Sequence, residues 1–246
     1  MVAVAVAAAA GLLGWHVRTP EGVMPAASPP ETAHGSAPTL SVEHPPVEVM
    51  RRSTVTPGAG GTRTLVAGVP AGFARSQDGA AEAATAWLAM VEGGAALDAS
   101  RRSSLLAAVG DPDFVRAAEA RLAARALVLG LDPIGLSPRG TVMAVAQVDR
   151  GAYRVARFSV ASAAVEVWYP YVLGVRGSGD GPIGVRWRRA AIELRWDSAA
   201  GDWRLPSDFG FADGPDPQGA DPSQVDKADA LADTGKEWLL YATAQD

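Results

Sequence analysis

The chain has 246 residues, of which 27 are acidic and 22 basic, for a formal charge of -5 that speaks against a basic nucleic-acid platform. It contains no cysteine, so disulfides, thiolate nucleophiles and thiolate-bound metals are excluded. Its three histidines, His16, His34 and His44, all precede the region expected to fold, which removes a Ser-His-Asp triad, a Cys-His pair and a histidine-ligated zinc from that region.

Val2 to Val17 (VAVAVAAAAGLLGWHV) carries no charge unless His16 is protonated. As a helix at about 1.5 Å per residue it reaches only about 24 Å, short of a hydrocarbon core of about 30 Å. Three readings fit: a signal-peptide core, a signal anchor, or the remainder of a longer transmembrane helix. A single-pass anchor is favoured, because Trp15 stands where an interfacial aromatic would and a long polar stretch follows. Residues 18–63 hold eight of the eighteen prolines among Ala, Ser, Thr, Gly and Glu, a composition that predicts a disordered tether.

The folded region is expected to start near Leu65 and to run to the end, residues 64–246. Ser76 to Gly79 supplies capping groups for a first helix, on which Ala80, Ala84, Trp87, Leu88 and Val91 recur at helical spacing until Gly93-Gly94. Asp98 caps a second helix carrying Arg102, Leu105, Leu106 and Val109. Asp111-Pro112 opens a third, striped by Val115, Ala118, Leu122, Ala126 and Leu129, with Arg116, Glu119 and Arg121 outside the stripe. After a Pro/Gly loop, Thr141 to Val148 reads as a strand, Asp149 to Gly151 as a turn, and Ala152 to Val160 as a strand pairing back.

From Ala164 to Leu205 the pattern turns to three consecutive antiparallel strands. Val165, Val167, Tyr169, Tyr171, Leu173 and Val175 share one face, with Glu166, Trp168 and Pro170 on the other. Ala190, Ile192, Leu194 and Trp196 share a face of the next strand, while Val185 and Trp187 have the opposite parity, which predicts a bulge near Arg188-Arg189. Opposite-parity Trp168 predicts that the second face is covered as well, by a helix or another protomer. An Asp/Gly/Pro loop follows Leu205, and Asp221-Pro222 opens a last helix with Val225, Ala228, Leu231, Ala232, Trp238 and Leu239 on one face.

Three helices followed by a curved antiparallel sheet of four to five strands, with an extra C-terminal helix, is the α+β element order of the cystatin-like, or nuclear-transport-factor-like, superfamily. The stretches GFARSQDGAAEAATAWL (Gly72 to Leu88), EVWYPYVLG (Glu166 to Gly174) and the late LRW…GDWRL strand (Leu194 to Leu205) resemble membrane-anchored extracytoplasmic proteins of actinobacteria from conjugation-like and type IV secretion-like clusters. The resemblance spans about residues 65 to 242 and rests on hydrophobic and turn positions. It implies a non-catalytic scaffold or assembly factor, single-pass in the cell membrane with its folded domain outside the cytoplasm, and it carries over no catalytic residue.

The residues themselves offer little chemistry. Asp149, Tyr153, Glu166, Tyr169 and Tyr171 are the groups that could serve proton transfer, and no acid-base pair stands out among them. Asp208, Asp213, Asp216 and Asp221 lack the spacing of a calcium loop, and Gly177 to Gly181 lacks the Lys-Ser/Thr pair and helix of a phosphate loop. No cofactor and no metal are expected. Arg186, Arg188 and Arg189, with Arg195 beyond, form the strongest basic feature; plain solvation, with pairing to Glu166 or Glu193 across strands, is the favoured reading. The functional alternative is a partner surface formed by Arg186, Arg188, Arg189 and Trp168. Expected partners are membrane or envelope proteins or a second copy, with the membrane reached through the N-terminal segment and no nucleic acid. The competing function is a pocket protein binding a small apolar molecule, more remotely an isomerase or dehydratase.

Overall fold

The computed structural model describes residues 50–65, 68–177, 183–217, 219 and 221–242. They all belong to one of the two units into which the chain divides, His44–Asp246. The expected anchor and most of the expected tether lie outside the described residues. The protein is an α+β structure with four α-helices and a mostly antiparallel mixed sheet among those residues.

Residues before the expected boundary at residue 64 already belong to the fold. Strand β1 (Arg51–Arg52) joins the main sheet, Val55 is buried in the core, and β2 (Arg63–Thr64) forms a hairpin with β3 (Pro70–Ala71). Hydrogen bonds, more than apolar periodicity, hold this segment. The Asp202 carboxylate accepts from the backbone N–H groups of Gly72 and Phe73, and Arg63 lies 3.7 Å from it.

Helix α1 (Gln77–Val91) starts where Ser76 Oγ accepts the Gly79 N–H at 3.1 Å. Its alanines allow close approach to the sheet strands, and Trp87 locks it by donating its indole N–H to the Pro70 carbonyl at 3.0 Å. After a 3-10 turn (Gly94–Leu97), α2 (Ala99–Val109) begins at Asp98, whose carboxylate accepts from the Ser100 N–H at 2.8 Å. Arg102 is buried there by design of its geometry: it donates to the carbonyls of Ala96 and Leu97 at 2.8 and 2.9 Å, tying the turn to the helix. Helix α3 (Pro112–Val128) buries Phe114, Ala118 and Leu122. Asp111 stands at its N-cap without capping by its side chain, which instead meets Arg195 at 2.8 Å and Arg204 at 3.7 Å.

The sheet comprises β4 (Thr141–Ala146), β5 (Ala152–Phe158), β6 (Ser162–Arg176), β7 (Val185–Asp197), β8 (Asp202–Arg204) and β9 (Gly210–Asp213), followed by α4 (Gln224–Ala232) and β10 (Leu239–Leu240). The main order is β1-β10-β5-β6-β7-β8, with β4 also on β6 and β9 also on β7. Only the β1–β10 pair is parallel. The inner face of β6, from Val165 to Tyr171 at alternate positions, packs into the core beneath the helices, as the alternation predicts.

Several local expectations are corrected. Strand β5 does not pair back on β4; both pair with β6, β5 along residues 163–168 and β4 along 171–176, because a 15-residue strand has room for two partners end to end on one edge. No bulge occurs at Arg188-Arg189, since β7 keeps one register with β6 from Arg195 to Val185. The parity change reflects a second covered face, and the register shift lies in β5 between Val155 and Arg157. The loop after Leu205 contains β9, anchored by Phe209 and Phe211. The last helix starts at Ser223, in a capping box with Asp226, and its expected continuation through Gly235 fails. Gly235 adopts φ 61°, and Leu239–Leu240 returns as a strand.

That returning segment covers the outer face of the sheet. Ala152, Trp168, Trp187, Leu231, Trp238 and Leu240 form a second buried cluster, with Met50 packed against it.

Candidate functional site

Glu92 is the residue that ends α1, just ahead of Gly93-Gly94, and it is wholly buried. Burying a carboxylate there is costly unless it is paired and hydrogen-bonded. Three guanidinium groups do so. Arg121 and Arg125, one helical turn apart on α3, reach it at 2.6 and 3.0 Å, and Arg188 on the inner face of β7 reaches it at 3.1 Å. Arg121 also holds Asp208 through two hydrogen bonds at 2.8 and 2.9 Å. Arg125 donates to the Tyr171 hydroxyl at 3.0 Å.

Aromatic rings fix the guanidinium planes. Arg188 lies 4.5 Å from the Phe211 ring centroid and 5.0 Å from that of Tyr171, and Arg121 lies 4.8 Å from Phe211. Burial works against the charge on Arg121, yet the hydrogen bonds it donates to Asp208 and the charge of Glu92 outweigh this and leave its pKa above the ordinary value. Burial, joined by the Glu92 charge, pushes both Tyr169 and Tyr171 upward, so both stay protonated. The Tyr169 hydroxyl is buried with no hydrogen-bond partner among the described residues. Chemically, the cluster is a poor acid-base centre: both Glu92 oxygens are engaged by guanidinium donors, and its tyrosines are held neutral.

The residues singled out from sequence separate onto two faces. Arg186 and Arg188 share the inner-face parity of Ala190; Arg186 is exposed, whereas Arg188 belongs to the buried cluster. Arg189 sits on the outer face opposite Trp168, with its Nε buried and unpartnered. Trp168 cannot serve as a partner surface: it is wholly buried, stacked on Trp187 with ring centroids 4.0 Å apart, and donates its indole N–H to the Pro215 carbonyl at 3.0 Å. Glu166 and Glu193 pair elsewhere, with Arg154 and Lys236 and with Arg157. Arg195 pairs with Asp111.

The suspected proton-transfer groups do not converge, since Glu166 lies on the outer face and Tyr153 stacks on Tyr241, away from the Tyr169–Tyr171 pair. The aspartates of the late loop are dispersed: Asp208 binds Arg121, Asp221 pairs with Arg150, and Asp213 lies on β9. No group of three or more His, Asp or Glu side chains that could hold a metal occurs among the described residues.

Two surface features complete the picture. A cleft of about 550 Å³ on the outer side is lined by Gln147, Arg150, Pro170, Val185, Trp187 and Asp216, among others. At the end of α3, Leu127 and Val128 are each 81% exposed, and Ile134 and Leu136 in the following loop, which is bonded to the start of α2, are 56% and 59% exposed. Among the described residues no helix is long and apolar enough to cross a membrane.

No protein-family model, no curated protein and no solved structure matches this chain.

Proposed function

We propose that this protein is a non-catalytic scaffold or assembly component of an envelope-spanning secretion or conjugation-like machine, its cystatin-like domain held outside the cytoplasm by a single-pass N-terminal anchor. The observation that carries this reading is the contrast between an interior carboxylate bound by three arginines and an exposed apolar end. Where a pocket protein of this architecture would keep a tyrosine-lined cavity with an isolated carboxylate, Tyr169, Tyr171 and Glu92 lie among three arginines. Four large apolar side chains, Leu127, Val128, Ile134 and Leu136, stand exposed instead at the end of α3. Exposed apolar side chains concentrated in one stretch of the chain in this way suit an association site.

The test is a photo-crosslinking amino acid placed at Leu127 or Leu136 in membranes of the native host, with the exposed β7–β8 turn residue Ala199 as control. Discrete adducts with membrane proteins from the α3 end, absent from position 199, are the expected result. Equal labelling from both positions, or none from either, would sink the assembly reading.

The outer cleft supports the second reading, a small-molecule binder. Native mass spectrometry of the purified protein decides it, because a bound small molecule lost on replacing Gln147 by a bulky residue favours the pocket.

A further inference from the structure

The arginines around Glu92 are not used up by it. A guanidinium carries five N–H donors. Arg188 spends only Nη1 on Glu92, and Arg125 spends Nη1 on Tyr171 and Nη2 on Glu92. Neither side chain is sealed from solvent, being 19% and 12% exposed. Arg186, two residues before Arg188 on the same face, is exposed and has no ion pair among the described residues. It lies directly opposite Tyr171 in the β6–β7 register, so Arg125, Tyr171, Arg186 and Arg188 share one end of the inner face.

Charge at this end runs against the rest of the molecule. Among the described residues Arg121, Arg125, Arg186 and Arg188 face Glu92, Asp208 and the exposed Asp213, which is opposite Arg188 on β9: four positive charges against three negative, in a chain of net charge -5. The guanidinium planes are already oriented by Phe211 and Tyr171, so a ligand need not order them. The buried, unpartnered Tyr169 hydroxyl adds a donor to the same cluster.

We propose that Arg186, with the remaining donors of Arg188 and Arg125, is a receptor for a carboxylate carried on an acidic segment of a protein partner. The inference rests on the assembly reading for the partner's being a protein. Its chemistry rests on the site itself: Asp208 on Arg121 and Glu92 across three arginines are carboxylates held by these same planar forks. A single negative charge is also better tolerated than a phosphate dianion beside three resident carboxylates. Val128, three residues after Arg125 and so on the next turn of α3, is exposed, giving an apolar side chain near the acidic group an anchor within reach.

The experiment uses the full chain labelled with 15N-arginine, titrated with hexaglutamate peptide at constant ionic strength. Saturable shifts of the Arg186 and Arg188 Nε–Hε resonances are expected. Arg186→Gln, at an exposed position that leaves the fold alone, should weaken binding about threefold, the scale of one exposed guanidinium–carboxylate pair. Arg116→Gln, an exposed arginine elsewhere on α3, should leave it unchanged. The proposal is overturned by linear, unsaturable shifts, by equal weakening in both variants, or by inorganic phosphate or a single-stranded oligonucleotide matching hexaglutamate. Should hexaglutamate fail while Leu127 still gives discrete membrane-protein adducts, the receptor falls and the assembly reading stands.

Discussion

The two faces of the central sheet are closed by different chemistry. On the outer face, Trp168 and Trp187 stack and are sealed by Leu231, Trp238 and Leu240, an apolar cluster brought in by the last described residues. On the inner face, the alanine-lined α1 gives way at its end to Glu92 and three arginines. The apolar cluster gains mainly from burial, which is non-directional and forgiving of shape. An ionic cluster gains little net stability from its own pairing, but every member is intolerant of losing a partner. The difference teaches which face fixes geometry: the outer seal holds the sheet closed, and the inner cluster sets how α1, α3, β7 and the loop bearing Asp208 meet.

Mutation can break this contrast. The largest effect is expected for Trp168→Ala, which empties the centre of the outer seal and should cost about 3–5 kcal/mol in urea unfolding. That loss should not depend on salt. Glu92→Gln leaves three guanidinium groups facing a neutral amide, and about 3 kcal/mol is expected, the scale of stranding a buried charge. A Glu92→Gln variant as stable as the parent would mean that the cluster is solvated and not a fixed joint.

Paired tyrosine variants sharpen the inner face. Tyr171→Phe removes the acceptor of an Arg125 hydrogen bond and should cost about 1 kcal/mol, whereas Tyr169→Phe removes a hydroxyl without a partner and should be neutral or slightly stabilising. Equal losses in the two would show that Tyr169 has a bound water or other partner. The smallest effect concerns acid. The hydrogen bonds and charge of Arg154, with Lys236, hold Glu166 below its ordinary value of 4.5. Its folded-state pKa is depressed, so its contribution is present above 4.5 and is lost as pH falls through the lower folded value. The stability gap between the parent and Glu166→Gln should therefore narrow below pH 4.5, and a gap that is constant with pH would contradict this. Because the pair is partly exposed, salt should also shrink the gap.

The helix starts were legible because capping is local: Ser76 and Asp98 act within three residues of themselves. The β6 alternation was legible for the same reason, since one strand carries its own period. The Glu92 cluster was not, because it gathers residues from α1, α3, β6, β7 and the loop after β8, and no single stretch has a pattern that announces it. A signal did exist. Arg121 and Arg125 fall in phase with the buried stripe of Phe114, Ala118 and Leu122, so two arginines on an inward helix face called for an acidic partner. The stripe drawn through Val115 placed Arg121 outside instead. Strand β10 was missed because Trp238 and Leu239 also fit a helical period, and only Gly235, in its left-handed conformation, separates the two readings.

The β1–β10 pairing has a consequence for how the chain is made. Arg51–Arg52 pairs in the main sheet with Leu239–Leu240, which lies between it and β5. During synthesis β1 therefore waits for its partner strand until Leu239–Leu240, almost 190 residues later, has emerged. A nascent chain stalled before Leu231 would leave the Trp168–Trp187 stack uncovered and β1 without its strand partner, so the outer seal closes only once these late residues have emerged.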